Sequence, residues 1–135
     1  MQSRDEMSIK IREIINLLDK QYPEAKITLD FKSPLELLIA AMLSAQCTDK
    51  MVNSVTKKLF RQYKSAEDYA GANIQELEND IRSTGFYHNK ARNIIAASEM
   101  LVERFNSRVP MTIEELTQLP GIGRKTANVV LGGYG

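Results

Sequence analysis

At 135 residues, with 43% hydrophobic and 26% charged content, the chain is sized for one domain with a real core, which excludes a disordered tail. A formal net charge of +1 removes any bulk electrostatic case for nucleic acid, so such a case has to rest on local clusters and backbone chemistry. The single cysteine, Cys47, excludes an internal disulfide framework and a cysteine-based metal or cluster site within these residues.

A lone cysteine, no basic-then-apolar start and no apolar run of roughly 18 residues together predict an intracellular, cytoplasmic chain without membrane association. Ser3 and Glu6 have capping-box spacing, and Met7, Ile11, Ile14, Ile15 and Leu18 recur on one stripe before Pro23, predicting a first helix within residues 1–25. Lys26 to Lys32 is a short mixed connection. Ser33 then offers a cap, Pro34 suits the first helical position and Glu36 completes a second box. Leu35 to Ala45 is almost wholly apolar, as expected of a helix through the centre of a fold, and it ends at "SAQCTD".

Thr48 caps a third predicted helix, with Met51, Val52, Val55 and Leu59 facing inward and Lys50, Ser54, Lys57, Arg61 and Lys64 forming a polar stripe. Ser65 with Asp68 and Asn73 with Glu76 mark two short helices, the second turning Ile74, Leu77 and Ile81 inward. Gly85 breaks the chain before a longer helix from about His88 to Phe105, with Ala91, Ile94, Ile95, Ser98, Leu101, Val102 and Phe105 on its buried side. Pro110 punctuates it, and Thr112 with Glu115 forms one more box. No segment alternates like a half-buried strand, so the fold class is all-α, a compact multi-helix bundle or barrel over residues 26–135.

The stretch "LPGIGRKTANVV", Leu119 to Val130, carries the chemistry. A short helix, a Pro-Gly-Ile-Gly turn and a helix starting near Gly123 leave backbone N–H groups unpaired at that helix N-terminus. Gly121 and Gly123 let an anion approach the backbone, and the helix dipole adds partial positive charge there. A phosphate cradle follows, although glycine is also an ordinary helix terminator. Lys125 then has two readings, a phosphate-contacting ammonium or a nucleophilic amine. The second requires its ordinary pKa of about 10.4 to be pulled down, by the helix N-terminus, by Arg124 and by partial burial.

This stretch resembles the helix-hairpin-helix motif of the endonuclease III family of DNA glycosylases, here at about residues 112–132. "SPLELLIAAMLSAQCTDKMVN" and "STGFYHNKARNII" resemble that family's other two signature segments, in the same order. The resemblance runs from about Phe31 to Val130. It implies base excision repair by a bifunctional glycosylase and abasic-site lyase, acting on oxidised pyrimidines in double-stranded DNA. It makes Lys125 the catalytic nucleophile that forms a Schiff base. It puts Gly85, Gly121, Gly123, Arg124 and Thr126 at the DNA, and makes Gln46 the residue that fills the space left by a flipped base. Phe86 stands where the family usually has a wedging leucine; the change keeps an apolar group able to insert between bases.

Plainer readings stand beside these. Gln46 is also an ordinary polar helix terminus, Phe86 a core aromatic under a loop, His88 a cap or surface group and Cys47 a packing residue. The cluster of Lys57, Lys58, Arg61 and Lys64 is a solvated face or lies along a DNA backbone. Gly85 to Ile94 loosely echoes Gly121 to Val129.

The family's catalytic aspartate is expected beyond Gly135, and its four cysteine ligands for a 4Fe-4S cluster farther still, so the resemblance implies no cofactor in this chain itself. The chain is thus expected to be a fragment with little glycosylase activity. The first helix, which in relatives packs on the cluster domain, is expected to be free for self-association. Two other classes compete. A non-catalytic helix-hairpin-helix module would bind DNA without chemistry, and a protein-interaction domain would show no salt-dependent DNA affinity.

Overall fold

The computed structural model describes residues 29–134, and the first helix expected within residues 1–25 lies outside them, as does its self-association. Every regular element among the described residues is helical. In chain order they are α1 (Pro34–Leu43), α2 (Asp49–Gln62), α3 (Ala66–Ala70), α4 (Ile74–Ile81), a 3-10 turn (Arg82–Thr84), α5 (Tyr87–Arg104), α6 (Ile113–Leu116) and α7 (Arg124–Tyr134).

The helix starts follow from local chemistry. Ser33, Thr48, Ser65, Asn73 and Thr112 each accept the N–H three residues on, at 3.0 to 3.2 Å. Each such cap is worth about 1 kcal/mol. The boxes are not reciprocal, however. Glu36 accepts from the Lys32 N–H at 2.8 Å rather than from Ser33, and Glu115 accepts from the Thr112 hydroxyl at 3.1 Å.

α1 runs through the centre. Residues 37–43 are all buried, since α2, α5 and α7 pack around the helix, and an element enclosed on every side has no use for a polar stripe. The most extensive packing is α3 against α5.

Burial departs from expectation at three places. Met51 and Ile74 are exposed, because each sits in the first turn of its helix, before the covered stripe begins. That stripe is Val52, Val55, Thr56 and Leu59 in α2, and Leu77 and Ile81 in α4. In α5 the buried face is Lys90, Ala91, Ile94, Ala97, Ser98 and Leu101, while Ile95, Val102 and Phe105 pack at its flank. The stripe is rotated toward Lys90, where the burial of a charge needs a specific account.

Candidate functional site

Three loops converge on one side of this helical frame. The first leaves α1, whose end is tied by the Ser44 N–H to the carbonyls of Ala40 and Ala41. Cys47 N–H bonds Ser44 O at 3.1 Å across a tight turn. Inside that turn Gln46 takes the left-handed conformation, φ 53, and is exposed. The second loop leads into α5. Gly85 has φ 78 and Phe86 φ 49, and Phe86 is 64% exposed. That exposure removes its reading as a core aromatic. Left-handed backbone at two non-glycine residues costs on the order of 1 kcal/mol or more each, so the surroundings must impose it.

The third loop joins α6 to α7. Leu116, Leu119 and Ile122 are buried, anchoring it from below, and Ala127 and Val130 seat α7 against the core. Gly121 has φ 80, and a Cβ there would lie 2.8 Å from the Asn93 Cβ, so the turn fits against α5 only with glycine. Gly123 differs. Its φ is not positive, and a Cβ would meet nothing within 4 Å, leaving open space in front of its backbone. Among the described residues no acceptor meets the N–H groups of residues 123–126. Arg124 and Lys125 are exposed and Thr126 is half-buried. The partial burial expected of Lys125 is therefore not supplied by the described residues; the face of α7 turned to the core carries Ala127 and Val130 instead.

A cleft of about 230 Å³ lies where the loops meet, lined by Met42, Ala45, Gln46, Phe86, Asn89, Lys90, Asn93 and Gly121. It unites three of the residues expected at DNA, Gln46, Phe86 and Gly121. Gly123, Arg124, Lys125 and Thr126 are not among its lining residues, and Gly85 stands just behind Phe86.

Lys90 is the residue the sequence reading missed. It is 7% exposed, and its Nζ donates to Leu43 O at 2.8 Å and to Thr84 O at 2.9 Å. Burial holds its pKa below the ordinary lysine value, with Cys47 nearby acting the other way. A signal existed, since Lys90 stands four residues before Ile94 and eight before Ser98 on the buried stripe. Asn93 offered none, because its neighbour Gly121 lies far along the chain.

The remaining candidates separate. Lys57, Arg61 and Lys64 line a different cleft of about 400 Å³ with Lys32, Phe31 and Phe60, whereas Lys58 lies near Asp80. His88 is exposed and its Nδ1 pairs with Glu78 at 2.9 Å, as a surface group would. The residues present do not fit an iron-sulfur cluster. Cys47 is the sole cysteine, and no group of three His, Cys, Asp or Glu among the described residues is placed to hold a metal. No described helix is long and apolar enough to cross a membrane.

The model of the HhH-GPD superfamily of base excision DNA repair proteins matches residues 39–131. The chain belongs to that superfamily. All eight residues lining the 230 Å³ cleft, and Lys125 with them, fall inside this HhH-GPD stretch.

Within the superfamily the chain is similar to endonuclease III. It is 52% identical to that of Synechocystis sp. over 119 residues, 88% of this chain and 54% of that protein. It is 48% identical to that of Bacillus subtilis over 126 residues, 91% of this chain and 58% of that protein. A non-covalent endonuclease III–DNA complex superimposes with TM-score 0.79 at 50% identity, over 91% of this chain and 57% of that one. A trapped endonuclease III–DNA covalent intermediate gives 0.80 at 50% identity, over 91% and 58%. The chain thus spans little more than half the length of the relatives it matches.

Proposed function

We propose that the cleft edged by Gln46 and Phe86 engages a damaged or abasic nucleotide in duplex DNA, and that Lys125 on the adjoining hairpin attacks its sugar. One observation carries this reading. An amide and an aromatic ring, both exposed and both in left-handed backbone, stand at one cleft that the hairpin residue Gly121 also lines. Groups held out of the core at a conformational cost are suited to fill the space of an extruded nucleotide and to wedge the adjacent stack. Free N–H groups at the start of α7, with Arg124 beside them, suit a backbone phosphate. Relatives at 50% identity that are solved with DNA, one as a trapped covalent intermediate, support both the partner and the nucleophile.

The chemistry on this reading is a Schiff-base lyase. The neutral Lys125 amine forms a bond to C1′ as the bond from C1′ to the base breaks, and the base leaves with a proton. The sugar ring then opens, the C1′–O4′ bond breaking as O4′ takes a proton from water, and the resulting iminium makes the C2′ proton acidic. Water takes that proton as the 3′ phosphate leaves, and a further water hydrolyses the imine to free the lysine. On an abasic site the same amine condenses with the sugar aldehyde and loses water. Because Lys125 is exposed, the desolvation that favours a neutral amine comes from the DNA that covers it. Oxidised pyrimidines are the substrate class that the resemblance to endonuclease III favours.

The test is reductive trapping. With borohydride and an abasic-site duplex, the 135-residue chain is expected to form a covalent adduct that Lys125→Ala cannot form; an adduct that persists in the variant overturns the assignment. The exposure of Lys125 also favours a second reading, a non-catalytic hairpin that holds phosphates. That module would bind DNA with a steep salt dependence and give no adduct.

A further inference from the structure

Two backbone carbonyls from distant parts of the chain share one buried ammonium. Leu43 closes α1 three residues before Gln46, and Thr84 closes the 3-10 turn two residues before Phe86. Both carbonyls sit at helix ends, where the helix itself offers no further donor. Lys90 Nζ reaches both, at 2.8 and 2.9 Å, from the fourth position of α5.

We propose that Lys90 is a positioning residue that fixes the separation of the Gln46 and Phe86 loops, so that the two side chains enter a lesion-containing duplex as one unit. This rests on the reading of the cleft as a DNA site. Three observations support the coupling. Lys90 itself lines the cleft together with Gln46 and Phe86. Each loop is short: one residue, Gly85, separates Thr84 from Phe86, and the Gln46 turn is closed on Ser44. A displacement at either carbonyl therefore reaches the tip with little slack. Both tips also hold left-handed backbone, a conformation that persists only where neighbouring structure imposes it. Two independent loops would each lose freedom on insertion, whereas two loops on one strut lose it on folding, before DNA arrives. An ammonium serves here because its donors can reach two acceptors at once, and its burial keeps water from competing for them.

The experiment uses the 135-residue chain and a duplex carrying a tetrahydrofuran abasic analogue, with 2-aminopurine opposite it reporting unstacking. The wild-type chain is expected to prefer this duplex to an intact one and to raise the fluorescence. Lys90→Met, shown folded by circular dichroism, is expected to lose that preference by about tenfold while its affinity for intact duplex changes less than about twofold. Lys90→Arg, which keeps charge and donors, is expected to recover part of the preference. A folded Lys90→Met with wild-type preference and fluorescence overturns the proposal.

Should Lys90→Met not fold, a cycle of Gln46→Ala and Phe86→Ala in the Lys90 chain decides. Coupled loops predict a double loss close to the larger single loss, and additive losses overturn the proposal. Absence of preference and of fluorescence change in the wild-type chain instead removes the DNA reading itself, and this proposal with it.

Discussion

From Gly85 to Ile94, and again from Gly121 to Val129, the chain passes from a left-handed glycine into a helix that carries a lysine in its first turn. In the first unit that lysine is Lys90, buried and bonded to two carbonyls. In the second it is Lys125, exposed and without a described partner. Helical register accounts for the contrast. Lys90 is the fourth residue of α5 and Lys125 the second of α7, an offset that turns the side chain by about 200°. The same positions agree across the units: His88, second in α5, is exposed like Lys125, and Ala127, fourth in α7, is buried like Lys90. The frame thus presents one face to the core and one to solvent in both units. A lysine's fate, as strut or as available amine, is fixed by which position it occupies.

The largest test of that contrast is Lys125→Ala. Adduct formation on abasic DNA should fall on the order of 10³-fold or more, to background, because no other group replaces the amine. Urea midpoints should move by less than about 0.5 kcal/mol, as for other exposed positions. Lys90→Met should behave oppositely in the fold. Two buried carbonyls lose their donor, at a cost of roughly 2 to 4 kcal/mol, read from the same urea transition at constant m. Equal stabilities for the two variants would break the comparison.

The glycines sharpen it. Gly85 and Gly121 share a positive φ, but only Gly121 has a neighbour in the way, Asn93 at 2.8 Å. Gly85→Ala should therefore cost only backbone strain, roughly 1 to 3 kcal/mol for a φ 78, ψ 160 conformation nearly confined to glycine. Gly121→Ala should add to its own positive-φ strain roughly 1 to 3 kcal/mol, since Asn93 must also move. Trimming that neighbour is the control: Gly121→Ala with Asn93→Gly should be less than the sum of the singles in thermal unfolding.

How far the sequence foretold these units depends on the range of the interaction. Five of the seven described helix starts were legible at Ser33, Thr48, Ser65, Asn73 and Thr112, because a side-chain cap is decided within four residues. The apolar run through α1 declared its central place for the same reason, since burial on all sides leaves a compositional trace. The hairpin was legible from its glycines. Lys90 was not. A periodicity reading counts apolar residues, and a charge on the apolar stripe registers as noise until its two acceptors are seen, one of them 47 residues away. The contact of Asn93 with Gly121 joins α5 to the hairpin turn, which no local pattern links. Met51 and Ile74 mark the converse error, since periodicity assigned both a face that tertiary packing leaves uncovered.

The smallest effect on the fold, and the most informative for function, is expected at Gly123. This residue is the N-cap of α7, and its carbonyl accepts from the Ala127 N–H at 2.9 Å. Its φ is not in the left-handed region, and a Cβ would meet nothing within 4 Å. Nothing in the folded chain then requires glycine, and Gly123→Ala should shift stability by no more than about 1 kcal/mol, the difference between glycine and alanine at an N-cap. If the open space before residues 123–126 is where a phosphate seats, the added methyl occupies part of it. Binding to intact duplex should then weaken several-fold, with the slope of affinity against salt reduced by about one phosphate contact. A variant that keeps both stability and the wild-type salt slope would show that these N–H groups face only water. Gly121 would then stand as the one glycine of the turn that the fold requires, and the phosphate contacts would have to be sought on Arg124 and Lys125 alone.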